Sequence, residues 1–152
     1  MNYSEETIMN CSEKNVRNTT MRQAEILLIE DDPDHAELIT DILEEDNVKG
    51  IKTEVILKKD GEEAIDYFQC EMQSKVSLIV LDLNLSKING MDVLKFIKKN
   101  SKYHSIPVII FSTSSDQKTI DEAYKNGANA YIIKPDSCKD FVKKIKILKK
   151  CC

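Results

Sequence analysis

A chain of 152 residues with 41% apolar side chains can bury the core of one domain and has little left for a second. Its net charge of -4 conceals an asymmetry: residues 1–66 carry 18 acids against 7 bases, and residues 67–152 carry 8 against 15. The bases are mostly lysines and both arginines precede residue 23, which argues against nucleic-acid binding, while the absence of a long apolar run or a signal-peptide pattern argues against membrane insertion and for a cytoplasmic location.

Residues 1–23 are rich in Asn, Ser, Thr and Glu without an apolar period, and are expected to form a mobile N-terminal tail ahead of a domain over 24–150. Ala24 to Ile29 reads as a buried strand, closed by Glu30, Asp31 and Asp32, and Pro33 after an Asp marks a helix start. That helix is expected to run to about Asp46 with Ala36, Ile39, Ile42 and Leu43 on its buried stripe. Ile51 to Leu57 alternates and suits a strand near the sheet edge. Asp60 with Glu63 forms a capping box for a helix through Ala64, Ile65 and Phe68.

Leu78 to Leu81 is an apolar run without alternation, as in a strand covered on both faces, and it ends in Asp82. Gly90 to Lys99 reads as a helix, and Pro107 to Phe111 as a further buried strand entering the polar cluster at Ser112 to Asp116. Ser114 with Gln117 looks like another capping box, with Gly127 ending that helix. Ala130 to Ile133 is a last strand, broken by Lys134-Pro135, and Asp136 or Ser137 opens a final helix with Phe141, Ile145 and Leu148 on one stripe. Strand and helix alternate five times, which favours a doubly wound α/β fold with a parallel sheet.

In such a fold ligands bind at the carboxyl edge of the sheet. Glu30, Asp31, Asp82, Ser112 and Lys134 all close strands at that edge. Acids gathered there repel one another unless a cation lies among them, and hard carboxylate oxygens favour Mg²⁺. Asp82 is then placed to act as a nucleophile toward a phosphoryl group, with Lys134 supplying positive charge and the Ser112 hydroxyl a hydrogen bond. Each residue taken singly has a plainer reading: acids at a helix N-terminus, a loop hydroxyl, a surface lysine. His35 and His104 lack metal-ligand spacing and read as surface residues, and the five cysteines suggest neither a disulfide framework nor a zinc site.

From Glu25 to about Lys150 the chain resembles the receiver domain of two-component response regulators, the single-domain kind especially. The resemblance rests on I-E-D-D-P, L-D-L-N-L-S-K-I-N-G, I-P-V-I-I-F-S-T and K-P in that order. The L-D-L-N-L form is also similar to the subfamily containing regulators that partner bacteriophytochrome kinases.

The resemblance implies a flavodoxin-like sheet of strand order 2-1-3-4-5 with five flanking helices. It implies Asp82 as phosphoacceptor, with Mg²⁺ held by Asp31, Asp82 and the backbone carbonyl of Asn84, and by Glu30 through water. Lys134 takes the family's lysine position. Ser112, 30 residues after Asp82 and 22 before Lys134, takes the hydroxyl position rather than Thr113. Tyr131 matches an aromatic that changes rotamer on phosphorylation, although a half-buried strand aromatic fits it equally, and Pro135 matches a proline that follows a cis peptide.

The implied partners are a sensor histidine kinase or phosphotransfer protein and a downstream protein target, because no output domain follows residue 152. No nucleic acid or membrane is implied, and homodimerisation stays open. Ser86, where the subfamily usually has Pro, implies a less rigid loop after Asp82, and Ser in place of Thr at 112 a looser switch. Asn84 and Ser114 occupy positions that tune dephosphorylation in the family.

The resemblance implies no enzyme acting on a separate substrate. A Mg²⁺-dependent aspartyl-phosphate phosphohydrolase would want an acid at 84 and room for a cap domain. A receiver-like adaptor that never accepts phosphate would more naturally lack one of the site residues. A flavodoxin-like cofactor carrier would need Gly, Ser or Thr where the turn after the first strand is acidic.

Overall fold

Leu27, Ile29, Ile79, Leu81, Val108 and Ile110 all point to one side of the sheet, and Ile26, Leu28, Leu78, Val80, Ile109 and Phe111 to the other. Because strand side chains alternate, three consecutive runs without polar breaks can satisfy two apolar faces at once. The structure, a computed structural model, describes residues 22–45, 51–71 and 75–150. Strands β1 (Arg22–Ile29), β2 (Ile51–Lys58), β3 (Val76–Leu81), β4 (Val108–Ser112) and β5 (Ala130–Ile133) form one parallel sheet. Their order is β2-β1-β3-β4-β5, as the resemblance implies.

Helices α1 (Pro33–Leu43) and α5 (Cys138–Lys149) cover one face through Ile39, Ile42, Leu43, Phe141, Ile145 and Leu148. Helices α2 (Gly61–Asp66), α3 (Gly90–Lys99) and α4 (Gln117–Lys125) cover the other, where Ala64, Val93, Leu94, Ile97 and Ala123 are buried. Burying each Leu or Ile contributes about 1.5–3 kcal/mol, so a one-residue slip of any central strand, which would exchange its two faces, is strongly disfavoured. No described helix is long and apolar enough to cross a membrane.

Several local expectations are corrected by packing. β1 begins at Arg22, inside the stretch expected to be tail, because it pairs along its whole length with β2 from Arg22↔Ile51 onward. The rest of that tail, and Asp46 at the expected end of α1, lie outside the described residues; α1 ends at Leu43. α2 gives way to a π-helical turn, Tyr67–Glu71, which lets Phe68 pack on Tyr103 at 5.1 Å while its carbonyl accepts from the Tyr103 hydroxyl at 2.8 Å.

The cap at α2 is half of the expected box. Asp60 accepts from the Glu63 N–H at 2.8 Å, but the Glu63 carboxylate accepts from Lys59 N–H rather than from Asp60. At α4 the cap is Asp116, which accepts from Thr119 N–H at 3.2 Å, and Ser114 instead accepts from Asp116 N–H, so the chain stays extended for two residues longer than the Ser114/Gln117 pattern implied. Gly127 does end α4, at φ +103°, and Ser137 caps α5. No peptide bond among the described residues is cis, so Lys134-Pro135 is trans, the form favoured by about 0.5–1 kcal/mol for such bonds.

Candidate functional site

The strand ladders carry on for one residue past the ends of β1, β3 and β5, and this fixes where the polar groups emerge. Glu30 N–H donates to Lys58 O at 3.0 Å, Asp82 N–H to Ile29 O at 3.0 Å, and Lys134 N–H to Ser112 O at 2.7 Å. Three main-chain segments are thereby locked before any side chain acts. Glu30, Asp82 and Lys134 are all buried, and the Lys134 Nζ donates to Glu30 Oε1 at 2.8 Å and to Asp82 Oδ2 at 3.0 Å.

Both carboxylates are held from a second side. Glu30 Oε2 accepts from Asp32 N–H at 3.1 Å, and Asp82 Oδ1 from Asn84 N–H at 3.0 Å. Burial, together with the charge of Asp82, pushes the Glu30 carboxyl up to about 7, against the opposing pull of Lys134. One ammonium between two acids leaves the trio net negative when both are ionised, and Asp31 adds a further exposed carboxylate beside it.

A cleft of about 410 Å³ opens over Asp82 and Lys134, lined also by Asp31, Asn84, Thr113 and His35 along with the start of α1. Asp32 caps α1, accepting from Asp34 N–H at 2.9 Å and His35 N–H at 3.2 Å, and the latter bond chiefly holds its carboxyl below the usual range. Among the described residues no three His, Cys, Asp or Glu side chains converge as a metal cage. The donor set nevertheless fits Mg²⁺, which is commonly bound by one or two carboxylates and keeps several waters: Asp31 and Asp82 share the cleft, with Asn84 beside them. Glu30 does not line the cleft and has both oxygens engaged within the protein, consistent only with an indirect role toward a metal.

The two hydroxyls at the end of β4 are placed differently. Ser112 is fully buried at the end of β4, where its Oγ accepts from Ser114 N–H at 3.3 Å, and it is Thr113 that lines the cleft, accepting from the Asn84 amide at 3.3 Å. Tyr131 is half-buried and its hydroxyl donates to Ser114 O at 2.9 Å. The single residue Ser114 therefore touches both Ser112 and Tyr131.

The loop after Asp82 is tied down despite Ser86. Gly61 N–H and Ile88 N–H both donate to Ser86 O, at 3.3 and 2.8 Å, and Lys87, at φ +71°, reaches Asp60 at 3.7 Å and Glu62 at 3.6 Å. A Cβ on Gly61 would run into the Ile88 carbonyl, so the close approach of α2 to this loop requires glycine.

His35, expected at the surface, is instead part of the site. Its Nδ1 lies 3.1 Å from Lys134 Nζ and its ring 5.0 Å from that of Phe141. Helical spacing could have found it, because residue 35 stands four before Ile39 and seven before Ile42 on the buried stripe of α1.

The comparisons with known proteins agree with this fold. The family model described as response regulator receiver domain matches residues 26–146. Response regulator Rcp1 of Synechocystis sp. is 33% identical over 124 residues, covering 79% of this chain and 82% of that protein. A crystal structure of the Mn(2+)-bound form of response regulator Rcp1 superimposes with a TM-score of 0.77 at 30% identity, over 84% of this chain and 92% of that one. The phosphorylated cyanobacterial phytochrome response regulator RcpA gives a TM-score of 0.77 at 32% identity, over the same shares, 84% and 92%. With its five-stranded parallel sheet and its buried acid-lysine trio at the carboxyl edge, the chain belongs to the response regulator receiver domain family of two-component signalling.

Proposed function

We propose that Asp82 accepts a phosphoryl group from the phosphohistidine of a sensor kinase or phosphotransfer protein, in a Mg²⁺-dependent reaction, and that the chain then signals through contact with a protein target. The observation that carries this reading is the hold on Asp82: one oxygen on the Asn84 N–H, the other on the Lys134 ammonium. A carboxylate so fixed presents a defined oxygen to an incoming phosphorus, and in phosphoryl transfer positioning and charge stabilisation account for most of the protein's contribution.

In the transfer, an Asp82 oxygen bonds to phosphorus, the P–N bond to the donor histidine breaks, and the imidazole leaves with the electron pair and takes up a proton. Lys134 then donates to a phosphoryl oxygen in place of Asp82 Oδ2. Asp31, Asp82 and the Asn84 main chain, with Glu30 behind them, would hold Mg²⁺, which would supply positive charge to the phosphoryl oxygens. The Mn(2+)-bound Rcp1 and the phosphorylated RcpA support a divalent cation and a phosphoryl group as ligands of this chain.

The readout follows from Ser114. If the Ser112 hydroxyl turns to a phosphoryl oxygen, it releases the Ser114 N–H, and the Ser114 carbonyl that holds Tyr131 moves with it. The surface so altered lies around the start of α4 and the end of β5, where Ile133 is exposed.

Acetyl phosphate with and without Mg²⁺ tests the chemistry by intact mass. The wild type is expected to gain one phosphoryl group only with Mg²⁺, and Asp82→Ala none. No gain and no acetyl phosphate consumption, with Mg²⁺ binding demonstrated separately, would favour the phosphorylation-independent adaptor; turnover of small phosphate esters would favour a phosphohydrolase.

A further inference from the structure

The Lys134 ammonium has three N–H donors and three acceptors in reach: Glu30 Oε1 at 2.8 Å, Asp82 Oδ2 at 3.0 Å and His35 Nδ1 at 3.1 Å. Two N–H groups facing each other at that third distance would repel. The charged lysine therefore favours an unprotonated His35 Nδ1 with the ring proton on Nε2, against the pull of the Asp32 carboxylate 3.7 Å from the same Nδ1. The ring is in turn held in place. It packs on Phe141 of α5 with centroids 5.0 Å apart, Phe141 packs on Phe111 at 5.3 Å, and the Lys134 Nζ lies 5.7 Å from the Phe111 ring.

We propose that His35 is a positioning residue for phosphoryl transfer, a neutral acceptor that takes the third proton of Lys134 and aims the ammonium across the Asp82 cleft. Neutrality is the point. A third carboxylate at this position would fix Lys134 equally well but would compete with the phosphoryl oxygens for its charge. A neutral acceptor makes the weaker bond and leaves the ammonium free to exchange the Asp82 oxygen for a phosphoryl oxygen. The inference rests on the phosphoacceptor reading, and its first test is independent of it.

Nitrogen-15 NMR of the imidazole near neutral pH, without metal or phosphodonor, is expected to show His35 as the Nε2–H tautomer, and in Lys134→Ala the Asp32 carboxylate, 3.7 Å from Nδ1, is expected to draw a proton onto Nδ1. A wild-type ring protonated on Nδ1, as either the other tautomer or the imidazolium, overturns the proposal whatever the chemistry of Asp82. The second test uses acetyl phosphate and Mg²⁺, in which an Asp82 oxygen bonds to phosphorus and acetate leaves with the P–O electron pair. His35→Phe keeps an aromatic ring against Phe141 and removes the acceptor, and is expected to slow the reaction roughly tenfold, the effect of one lost hydrogen bond to a charged group.

His35→Asn places an amide oxygen near the Nδ1 position while sacrificing the ring contact, and is expected to stay within about threefold of the wild type. A merely structural role predicts the reverse ranking. Equal rates for His35→Phe and wild type, or a slower His35→Asn than His35→Phe, overturn the proposal. A wild type that takes no phosphoryl group refutes the phosphoacceptor reading and with it the role in transfer.

Discussion

Lys134 and Lys98 are both drawn into the protein and both have three polar neighbours, yet they are built for different purposes. Lys98, near the end of α3, reaches the opposite edge of the sheet, where its Nζ donates to His104 O at 3.0 Å, Ile106 O at 2.9 Å and Asn129 Oδ1 at 3.1 Å. Those acceptors are all neutral, and partial burial alone pulls the Lys98 ammonium below its ordinary value. Lys134 instead faces two carboxylates and an imidazole. Carbonyls that complete a fold have no reason to be exchanged. A carboxylate oxygen can be exchanged for a phosphoryl oxygen, so the charge of the partners, not the number of bonds, separates the working lysine from the supporting one.

The sharpest break of this contrast is at Asp82. Asp82→Asn keeps the shape of the side chain but removes the nucleophile, and complete loss of the acetyl phosphate mass adduct is expected. Substituting the lysines separates them further. Lys134→Met is expected to reduce phosphorylation at least about a hundredfold, since it removes the ammonium that donates to the Asp82 carboxylate. Lys98→Met is expected to leave the phosphorylation rate within about twofold while lowering stability by about 1–3 kcal/mol, the cost of stranding partly buried acceptors. Urea denaturation alongside the mass assay reads both quantities; a Lys98 variant slower in phosphorylation than the Lys134 variant would erase the distinction.

Much of the working edge was legible in the sequence because it depends on where strands end. Apolar runs closed by Glu30, Asp82 and Lys134 needed only a parallel sheet to meet, and the sheet follows from the alternation of strand and helix. What was not legible depends on the packing between elements. His35 looked like a surface residue until α1 was laid against α5 and Phe141 came beneath its ring. Thr113, set aside in favour of Ser112, reaches the cleft because the chain leaves β4 with Ser112 turned inward onto Ser114 N–H. The cap of α4 was misplaced for a similar reason: Ser114 and Asp116 are both good caps, and the choice fell to Asp116 because Ser114 is engaged with Ser112 and Tyr131.

A pH series sharpens the electrostatic side. The folded Glu30 carboxyl titrates at about 7 against an ordinary 4.5, chiefly because it is buried. Between those values the unfolded chain gives up a proton that the folded chain retains, so this group makes stability fall as pH rises through the window and adds no further slope above it. Glu30→Gln does not titrate. Its stability relative to the wild type is expected to rise from pH 4.5 to 7, by on the order of 1–3 kcal/mol, and then level off. Thermal unfolding of the two proteins across the window checks it, and parallel curves would show that Lys134 compensates the burial in full.

The smallest effect tests the supporting lysine by itself. Gly127 sits at φ +103°, a conformation that L side chains rarely adopt, and a Cβ there would lie 2.8 Å from Lys98 Cγ and 3.2 Å from Cδ. A long side chain ordinarily swings away from such a contact. Lys98 cannot do so without releasing the three oxygens that pin its Nζ, so Gly127→Ala bears a backbone cost and a contact cost together. The backbone part, about 1–2 kcal/mol, is independent of residue 98, whereas the contact part vanishes once that side chain is cut back. A double-mutant cycle in urea with Lys98→Ala is therefore expected to show Gly127→Ala less destabilising by about 0.5–1 kcal/mol in the Lys98→Ala background than in the wild type. Strict additivity would mean that Lys98 yields freely and that its three bonds hold the turn only loosely, which would weaken the contrast with Lys134 from the structural side.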